Sequence, residues 1–237
     1  MALPTLDLPT YELKVPSTGK TIKYRPFLVK EEKVLLLALE SGDDKAIQDA
    51  VKSLLKGCIV SRIKVENLST FDLEYIFLKI RAAAVGEVVE MEVTCLDDNE
   101  TKVKYNLNLD EVEVIFPEGH SSKIMLTDDT GLIMKYPSFD RFVETSVSGK
   151  VLSNDDIFDI VAESIDQIFQ GEEVYDSSTT SKKEFRQFVE QLTNKQFEEL
   201  EKFFETAPKL SHQFVVTNPN TGVDSTFTIE GLANFFA

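Results

Sequence analysis

A helix followed directly by a β-hairpin occurs twice in this chain, and this repetition limits the folds that the sequence can adopt. Residues 87–107 and 211–231 each contain a strand, a turn rich in Asp or Asn, and a returning strand. A segment with helical periodicity precedes each hairpin, at 70–84 and at 193–206. Helix–hairpin units also arise by chance in α+β proteins, so duplication of one unit and coincidence are both open interpretations.

The helix before the first hairpin is the best-marked element of the sequence. STFDLEYIFLKIRAAAVG begins with Ser69 or Thr70 as the N-cap, and Gly86 ends it. A cap at Ser69 would place Asp72 at the third helical position, as in a short acidic capping box. Residues at helical spacing are predicted to face the core: Phe71, Tyr75, Leu78 and Ala82.

The N-terminal part of the chain is predicted to contain a hairpin and two helices. Residues 11–26 alternate apolar and polar side chains around Ser-Thr-Gly, which is typical of a hairpin. The first helix ends at Gly42 and the second at Gly57. One face of the first helix is predicted to be apolar: Val34, Leu35, Ala38 and Leu39.

The second half is predicted to be mainly helical. Short strands are expected in VEVIFPEG and SKIMLTDDTGLIMKYPS, before Phe139. Helices are predicted at four places: 139–147, 154–169, 181–192 and 194–206. GEEVYDSSTTS, residues 171–181, is predicted to be a mobile polar loop. A strand pair and the short apolar segment EGLANFF complete the chain.

These patterns predict an α+β fold. It has an N-terminal hairpin and helices, central antiparallel strands, and a helical C-terminal half ending in a hairpin and a short helix. Two domains are expected, with 1–138 an N-terminal α+β domain containing the first knuckle-like hairpin. The second, 139–237, is a helical domain with the C-terminal hairpin and tail.

Charge and composition argue against several classes of partner. The 237 residues are 42% hydrophobic, enough for a core, and carry a net charge of −16. That charge repels phosphate backbones and anionic lipids, so we expect neither nucleic-acid nor membrane binding. The apolar stretches are too short to span a bilayer, and the N-terminus lacks the features of a signal peptide. Two cysteines are consistent with a reducing cytoplasm.

The residue types that usually carry catalysis are scarce. His120 and His212 have no acid or Cys at ligand spacing, so both are predicted to lie at the surface. Cys58 is predicted to be a small core residue, and Cys95 within CLDD makes a poor zinc half-site. The sequence therefore predicts no catalytic residue, no metal site and no cofactor. The alternative is a metal-dependent enzyme or regulator using converging acidic residues: Asp97, Asp98, Glu100, Asp128 and Asp129.

The C-terminal apolar residues are the candidate partner-binding residues. A terminal Phe pair has either a groove in its own core or a groove in a partner to occupy. Both interpretations remain open. The candidates in the hairpin and tail are Phe214, Phe227, Leu232, Phe235 and Phe236.

Four long segments resemble one known family. They are YELKVPSTGKTIKYRPFLVKEEKVLLLALES, FDLEYIFLKIRAAAVGEVVEMEVTC, KIMLTDDTGLIMKYPSFD and IEGLANFF. The chain resembles the T4-type phage baseplate protein family, the baseplate hub assembly proteins of contractile-tailed phages, from about Leu3 to Phe236. The resemblance implies a non-enzymatic protein of phage tail morphogenesis.

What the resemblance implies about role and location leaves two alternatives. The protein is an assembly chaperone of the central hub or a structural subunit of it. Its implied partners are hub or tail proteins, with a homo-oligomer also open. Its implied location is the host cytoplasm during assembly, with the virion baseplate as the alternative.

The resemblance also draws attention to the two hairpin turns. Relatives often carry Cys-x-x-Cys in both turns, as small zinc-knuckle-like loops. This chain has only Cys95 in the first turn, and the second contains Asn218, Pro219, Asn220 and Gly222 instead. Pro and Gly can shape such a turn alone, so a structural metal is in doubt here.

Overall fold

The structure, a computed structural model, describes residues 7–137, 139–147 and 151–231. These residues form an α+β fold, as predicted. A short 3₁₀ turn lies at Val65–Asn67, and a π-helical turn, Val143–Val147, extends the fourth helix. The helices are α1 (Val29–Ser41), α2 (Asp44–Cys58), α3 (Thr70–Val85), α4 (Phe139–Phe142), α5 (Asn154–Glu163), α6 (Lys182–Glu190) and α7 (Asn194–Glu205).

The strands form four small antiparallel sheets within the described residues. The first half contributes β1 (Tyr11–Lys14), β2 (Thr21–Tyr24), β3 (Val88–Thr94), β4 (Lys102–Asn108), β5 (Glu113–Ile115) and β6 (Lys123–Met125). The second half contributes β7 (Thr130–Met134), β8 (Ile165–Gln170), β9 (Glu173–Asp176), β10 (Lys209–Thr217) and β11 (Asp224–Glu230). The sheets have the strand orders β1-β2, β3-β4, β11-β10-β5 and β6-β7-β8-β9.

The predicted helix before the first hairpin, α3, is the central helix of the larger core. Ser69 is its N-cap, and Gly86, with φ 133°, is its C-cap. Phe71 and Leu78 are buried as predicted, and Tyr75 is half-buried. Helix α4 and strands β5 and β10 pack against α3, so it contacts elements from distant parts of the chain.

The apolar side chains form two separate clusters. The larger one gathers residues from β1 to the loop before β5, together with Phe139, Phe142, Val143 and Leu210. The second joins β7 and β8 to α5, α6 and α7. Strand β7 precedes position 138 but packs with the second half of the chain. Helix α4 follows position 138 but packs with the first half. The division into domains 1–138 and 139–237 stays a prediction.

Two predictions for the second half are wrong. The helix predicted at 154–169 ends at Glu163, and its remainder is strand β8. The loop predicted at 171–181 contains strand β9, which pairs with β8 from Gln170↔Glu173 to Gln167↔Asp176. Ile165 and Ile168, three residues apart, suit helical spacing, whereas a regular strand would place them on opposite faces. Pairing with β7, whose register shifts between Ile133 and Met134, makes this segment a strand in which both side chains are buried.

The C-terminal hairpin is present as predicted, as β10 paired with β11. The short helix predicted in EGLANFF, residues 230–236, lies outside the described residues except for Glu230, the last residue of β11, and Gly231. None of the helices that the structure describes combines the length and the apolar composition needed to cross a bilayer.

Candidate interaction surface

Helix α1 exposes most of its large apolar side chains. Val29 is 81% exposed, Val34 and Leu37 are each 55% exposed, and Leu36 is 53% exposed. Only Ala38 is buried on this helix. The apolar face predicted from the sequence is therefore wrong in part, since Val34 and Leu39 lie at the surface. We call Val29, Val34, Leu36 and Leu37 the α1 patch.

The helix that carries this patch is firmly built at both ends. Glu31 accepts a hydrogen bond from the Leu28 amide at 2.8 Å and pairs with the Arg25 guanidinium, which donates at 2.6 Å. At the other end Gly42, with φ 65°, donates its amide to the Leu39 carbonyl at 3.2 Å. Helix α1 packs against α2, and the α1 patch lies on the sides left exposed.

The chemistry of the α1 patch suits a protein partner. Contiguous exposed apolar side chains on a soluble protein mark interaction sites. Lys30 and Lys33 are also exposed on α1, and helical geometry places them between these apolar side chains, within a chain whose net charge is −16. Exposed apolar side chains interspersed with cations suit a partner surface that combines apolar and acidic groups.

The candidate partner-binding residues of the C-terminal hairpin have different surroundings. Phe214 is buried, and its ring stacks on Tyr105 of β4 with 3.9 Å between centroids. Phe227, opposite Phe214 in the hairpin, is half-buried and stacks on it at 5.5 Å. Phe214 thus joins two hairpins, whereas Phe227 retains an accessible side. The other three candidates, Leu232, Phe235 and Phe236, lie outside the described residues.

A groove of about 470 Å³ lies beside the end of β11. Its walls include Phe71, Tyr136, Phe204 and Pro208, and Gly231 lies at its border. The lining is mainly apolar, which suits an apolar segment of chain more than a charged substrate.

Three of the acidic residues that would serve a metal-dependent enzyme accept hydrogen bonds from other protein groups. Asp129 accepts from the Thr127 and Thr130 hydroxyls, at 2.8 and 3.0 Å. Asp97 and Asp98 instead contact the C-terminal hairpin turn. Across the described residues, no group of three or more His, Cys, Asp or Glu side chains is arranged to hold a metal ion.

Neither histidine is an exposed surface residue, contrary to the prediction. His120 lies between the Thr206 hydroxyl and the Tyr136 hydroxyl, each 3.0 Å from a ring nitrogen. Burial lowers its pKa. His212 is half-buried, and its ring stacks against Phe214 with 6.0 Å between centroids. These are packing roles, which sequence spacing alone gives no signal for.

Comparisons with known proteins give one match. A family model described as T4 bacteriophage base plate protein matches residues 8–237, nearly the whole chain. Searches of curated proteins and of solved structures each find no significant match.

Proposed function

The chain belongs to the T4 bacteriophage base plate protein family, and we propose that it acts without catalysis, as an assembly factor or structural subunit of the central baseplate hub. Its action would be to bind other tail or baseplate proteins. Membership of the family supports a baseplate protein, and the finer role as a hub component is our proposal.

The α1 patch is the observation that carries this proposal. Its four apolar side chains are each more than half exposed on a helix that is capped at both ends. Covering such side chains releases about 25 cal/mol for each Å² of apolar surface buried, so a partner that covers the face gains affinity.

The C-terminal hairpin is the proposed second contact. Phe227 is half-buried on edge strand β11, which in this sheet has β10 on one side only. We propose that Phe227, together with Leu232, Phe235 and Phe236, contributes to this contact. Phe214 is better explained as a packing residue, because it is buried between Tyr105 and Phe227.

A double substitution on α1 tests the proposal. Leu36→Asp with Leu37→Asp places two charges on the α1 patch and should reduce capture of tail and baseplate proteins at least tenfold, because buried apolar anchors dominate interfaces. The matched control is Val88→Asp, which alters a 62% exposed apolar residue of β3. Tagged chains would be recovered from infected cells, and the captured phage proteins would be identified by mass spectrometry.

The outcomes separate the parts of the proposal. Equal capture by the double variant and by wild type would remove the α1 patch as the contact. Capture of no tail protein by the wild-type chain would contradict the proposed function itself. The protein content of purified virions then distinguishes the two roles: a structural subunit is present there, and a transient assembly factor is absent.

A further inference from the structure

The turns of the two helix–hairpin units begin with the same backbone hydrogen bonds, although the first turn is one residue longer before its returning strand. In the first, the Cys95 amide donates to the Thr101 carbonyl at 2.8 Å, and the Asn99 amide donates to the Cys95 carbonyl at 3.0 Å. In the second, the Asn218 amide donates to the Val223 carbonyl at 2.9 Å, and the Gly222 amide donates to the Asn218 carbonyl at 2.8 Å. The match identifies Cys95 and Asn218 as equivalent first positions.

Left-handed residues confirm this correspondence. Asn99, with φ 56°, is the one non-glycine residue with positive φ within the described chain, and it lies four residues after Cys95. Gly222, with φ 75°, lies four residues after Asn218. Asn and Gly are the residues that adopt this conformation most readily. Asp98 and Thr221, three residues after the first positions, are therefore equivalent as well.

The two turns contact each other directly. The Asn218 side-chain amide donates to Asp97 Oδ1 and Oδ2 at 3.0 and 3.1 Å and to Asp98 Oδ2 at 2.9 Å. The Thr221 hydroxyl donates to Asp97 Oδ2 at 2.5 Å. Asn218 is fully buried, so the donor end of its bonds is shielded from water, whereas Asp97 and Thr221 are exposed.

Further contacts extend along both hairpins. The Leu96 amide donates to the Ser225 hydroxyl at 3.1 Å, and the Asn220 side-chain amide donates to the Thr101 hydroxyl at 2.9 Å. These bonds, together with the stacked rings of Tyr105 and Phe214, hold the first hairpin against the second. About 120 residues separate the two turns in the sequence.

The four equivalent positions have the spacing of two Cys-x-x-Cys half-sites, but their side chains do not fit zinc. Zinc needs electron-pair donors, usually four. Asn218 Oδ1 accepts the Asn220 amide at 2.9 Å, which turns the NH₂ group, a donor only, toward the carboxylates. Asp98 is already bonded by the Thr101 hydroxyl at 2.5 Å. Burial raises the pKa of the Cys95 thiol, which favours the protonated form.

We propose that the paired turns are a metal-free clamp, in which the Asn218 amide, bonded to Asp97 and Asp98, holds the two hairpins together in place of a four-ligand zinc site. The clamp is defined by Cys95, Asp97, Asp98, Asn218 and Thr221. Hydrogen bonds from Asn218 and Thr221 to Asp97 and Asp98 take the place of coordination bonds, so the hairpins keep their relative placement without an ion.

Asn218→Asp tests the clamp most directly. The substitution replaces the central donor with a third carboxylate facing two others, so the bonds are lost and like charges are brought together. We expect the melting temperature to fall by about 5 °C or more, which for a chain of this size is a loss well above that of a surface change. The matched control is Gln213→Glu, which adds the same charge at an exposed position of β10 and should shift the midpoint by about 1 °C or less.

A designed site tests the equivalence of the positions. Asp98→Cys, Asn218→Cys and Thr221→Cys together add three thiols to Cys95 at tetrahedral half-site spacing. This variant should bind one zinc ion per chain by native mass spectrometry and show the visible absorption of tetrahedral cobalt, while the triple Ser variant and wild type should show neither.

The results decide between the clamp and a metal site. Wild-type protein that carries one zinc per chain, or that melts at a lower temperature after chelation, overturns the proposal. An unchanged melting temperature for Asn218→Asp also overturns the proposal, whether or not the four-thiol variant folds. A folded four-thiol variant that binds no zinc contradicts the positional equivalence.

Discussion

Helices α1 and α3 are both rich in apolar residues, yet α3 is almost fully buried and α1 is largely exposed. Helix α3 buries almost its whole surface, including the charged residues Asp72 and Lys79. Helix α1 buries only Ala38. The difference follows from their neighbours, because α3 is packed by α4, β5 and β10, whereas α1 is packed by α2. An apolar run therefore predicts a helix but not whether that helix belongs to the core or to an interface.

The polar residues of α3 show what full burial requires. Lys79 donates to the Leu109 and Asp110 carbonyls, at 2.9 and 3.1 Å. Asp72 accepts from the Ser17 amide at 2.9 Å and from the Ser17 and Ser69 hydroxyls, at 2.5 and 2.6 Å. Buried charges without such partners would be strongly destabilising. The turn between β1 and β2 thus fixes the start of α3.

The largest expected effect separates the two helices by stability. Phe71→Ala on α3 should lower the free energy of unfolding by about 3–5 kcal/mol, because the ring is buried against Phe116 and Tyr136. Leu36→Ala on α1 should change it by about 0.5 kcal/mol or less. Urea denaturation measures both. A loss below about 1 kcal/mol for Phe71→Ala would contradict this contrast, because it would mean that Phe71 contributes no more to stability than a surface residue.

A smaller effect is expected from the buried carboxylate of α3. Asp72→Asn keeps the shape but weakens the charged acceptor for Ser17 and Ser69, which should cost about 1–3 kcal/mol in the free energy of unfolding. Glu40→Gln, an exposed residue of α1, is the matched control and should be nearly neutral. Equal effects of the two substitutions would show that the Ser17 contacts do not matter for stability.

The smallest effect concerns acid stability at the start of α1. Hydrogen bonding to Arg25 lowers the pKa of Glu31, so its stabilising contribution is present above the unfolded pKa of about 4.3 and is lost as pH falls through the lowered folded value. Glu31→Gln should therefore cost about 1 kcal/mol at pH 7, and the difference between wild type and variant should shrink as the pH falls below the unfolded pKa of about 4.3.

Urea denaturation at pH 7, 5, 4 and 3 measures this convergence. A difference between the two proteins that stays constant over this range would mean that the ionised form of Glu31 does not contribute. Glu31 would then stabilise the start of α1 through packing alone. Its contribution would differ from that of Asp72, whose charge accepts hydrogen bonds at the start of α3.

Several elements could be predicted because their signals are local. The start of α3 at Ser69 or Thr70 and its end at Gly86 follow from residues within one helical turn, and the structure selects Ser69 as the N-cap. The N-cap of α7 at Thr193 has an equally local signal. The hairpin turn near Gly222 follows from Asn, Pro and Gly chemistry. The C-terminal hairpin was likewise predicted as a strand pair with its turn in place.

Other elements escaped prediction because distant partners decide them. Strand β8 was predicted as the end of a helix, since Ile165 and Ile168 suit helical spacing, and pairing with the distant strand β7, as between Leu132 and Ile168, makes it a strand instead. The sequence does not predict the α1 patch, because VLLLAL places apolar side chains on all sides of the helix. Which of these side chains α2 covers depends on the tertiary structure. The available signal was the absence of a polar face on this run.

The sequence by itself determined the helices with clear caps, the hairpins with Gly and Asn turns, the α+β class and the family. These depend on backbone preferences within a few residues and on strings that few unrelated chains share. Only the tertiary structure decided that Asn218 meets Asp97 and Asp98, that Phe214 joins two hairpins, and that α1 remains uncovered. Those outcomes depend on contacts between residues far apart in the chain, where a side chain's role is set by what packs against it and not by its neighbours in sequence.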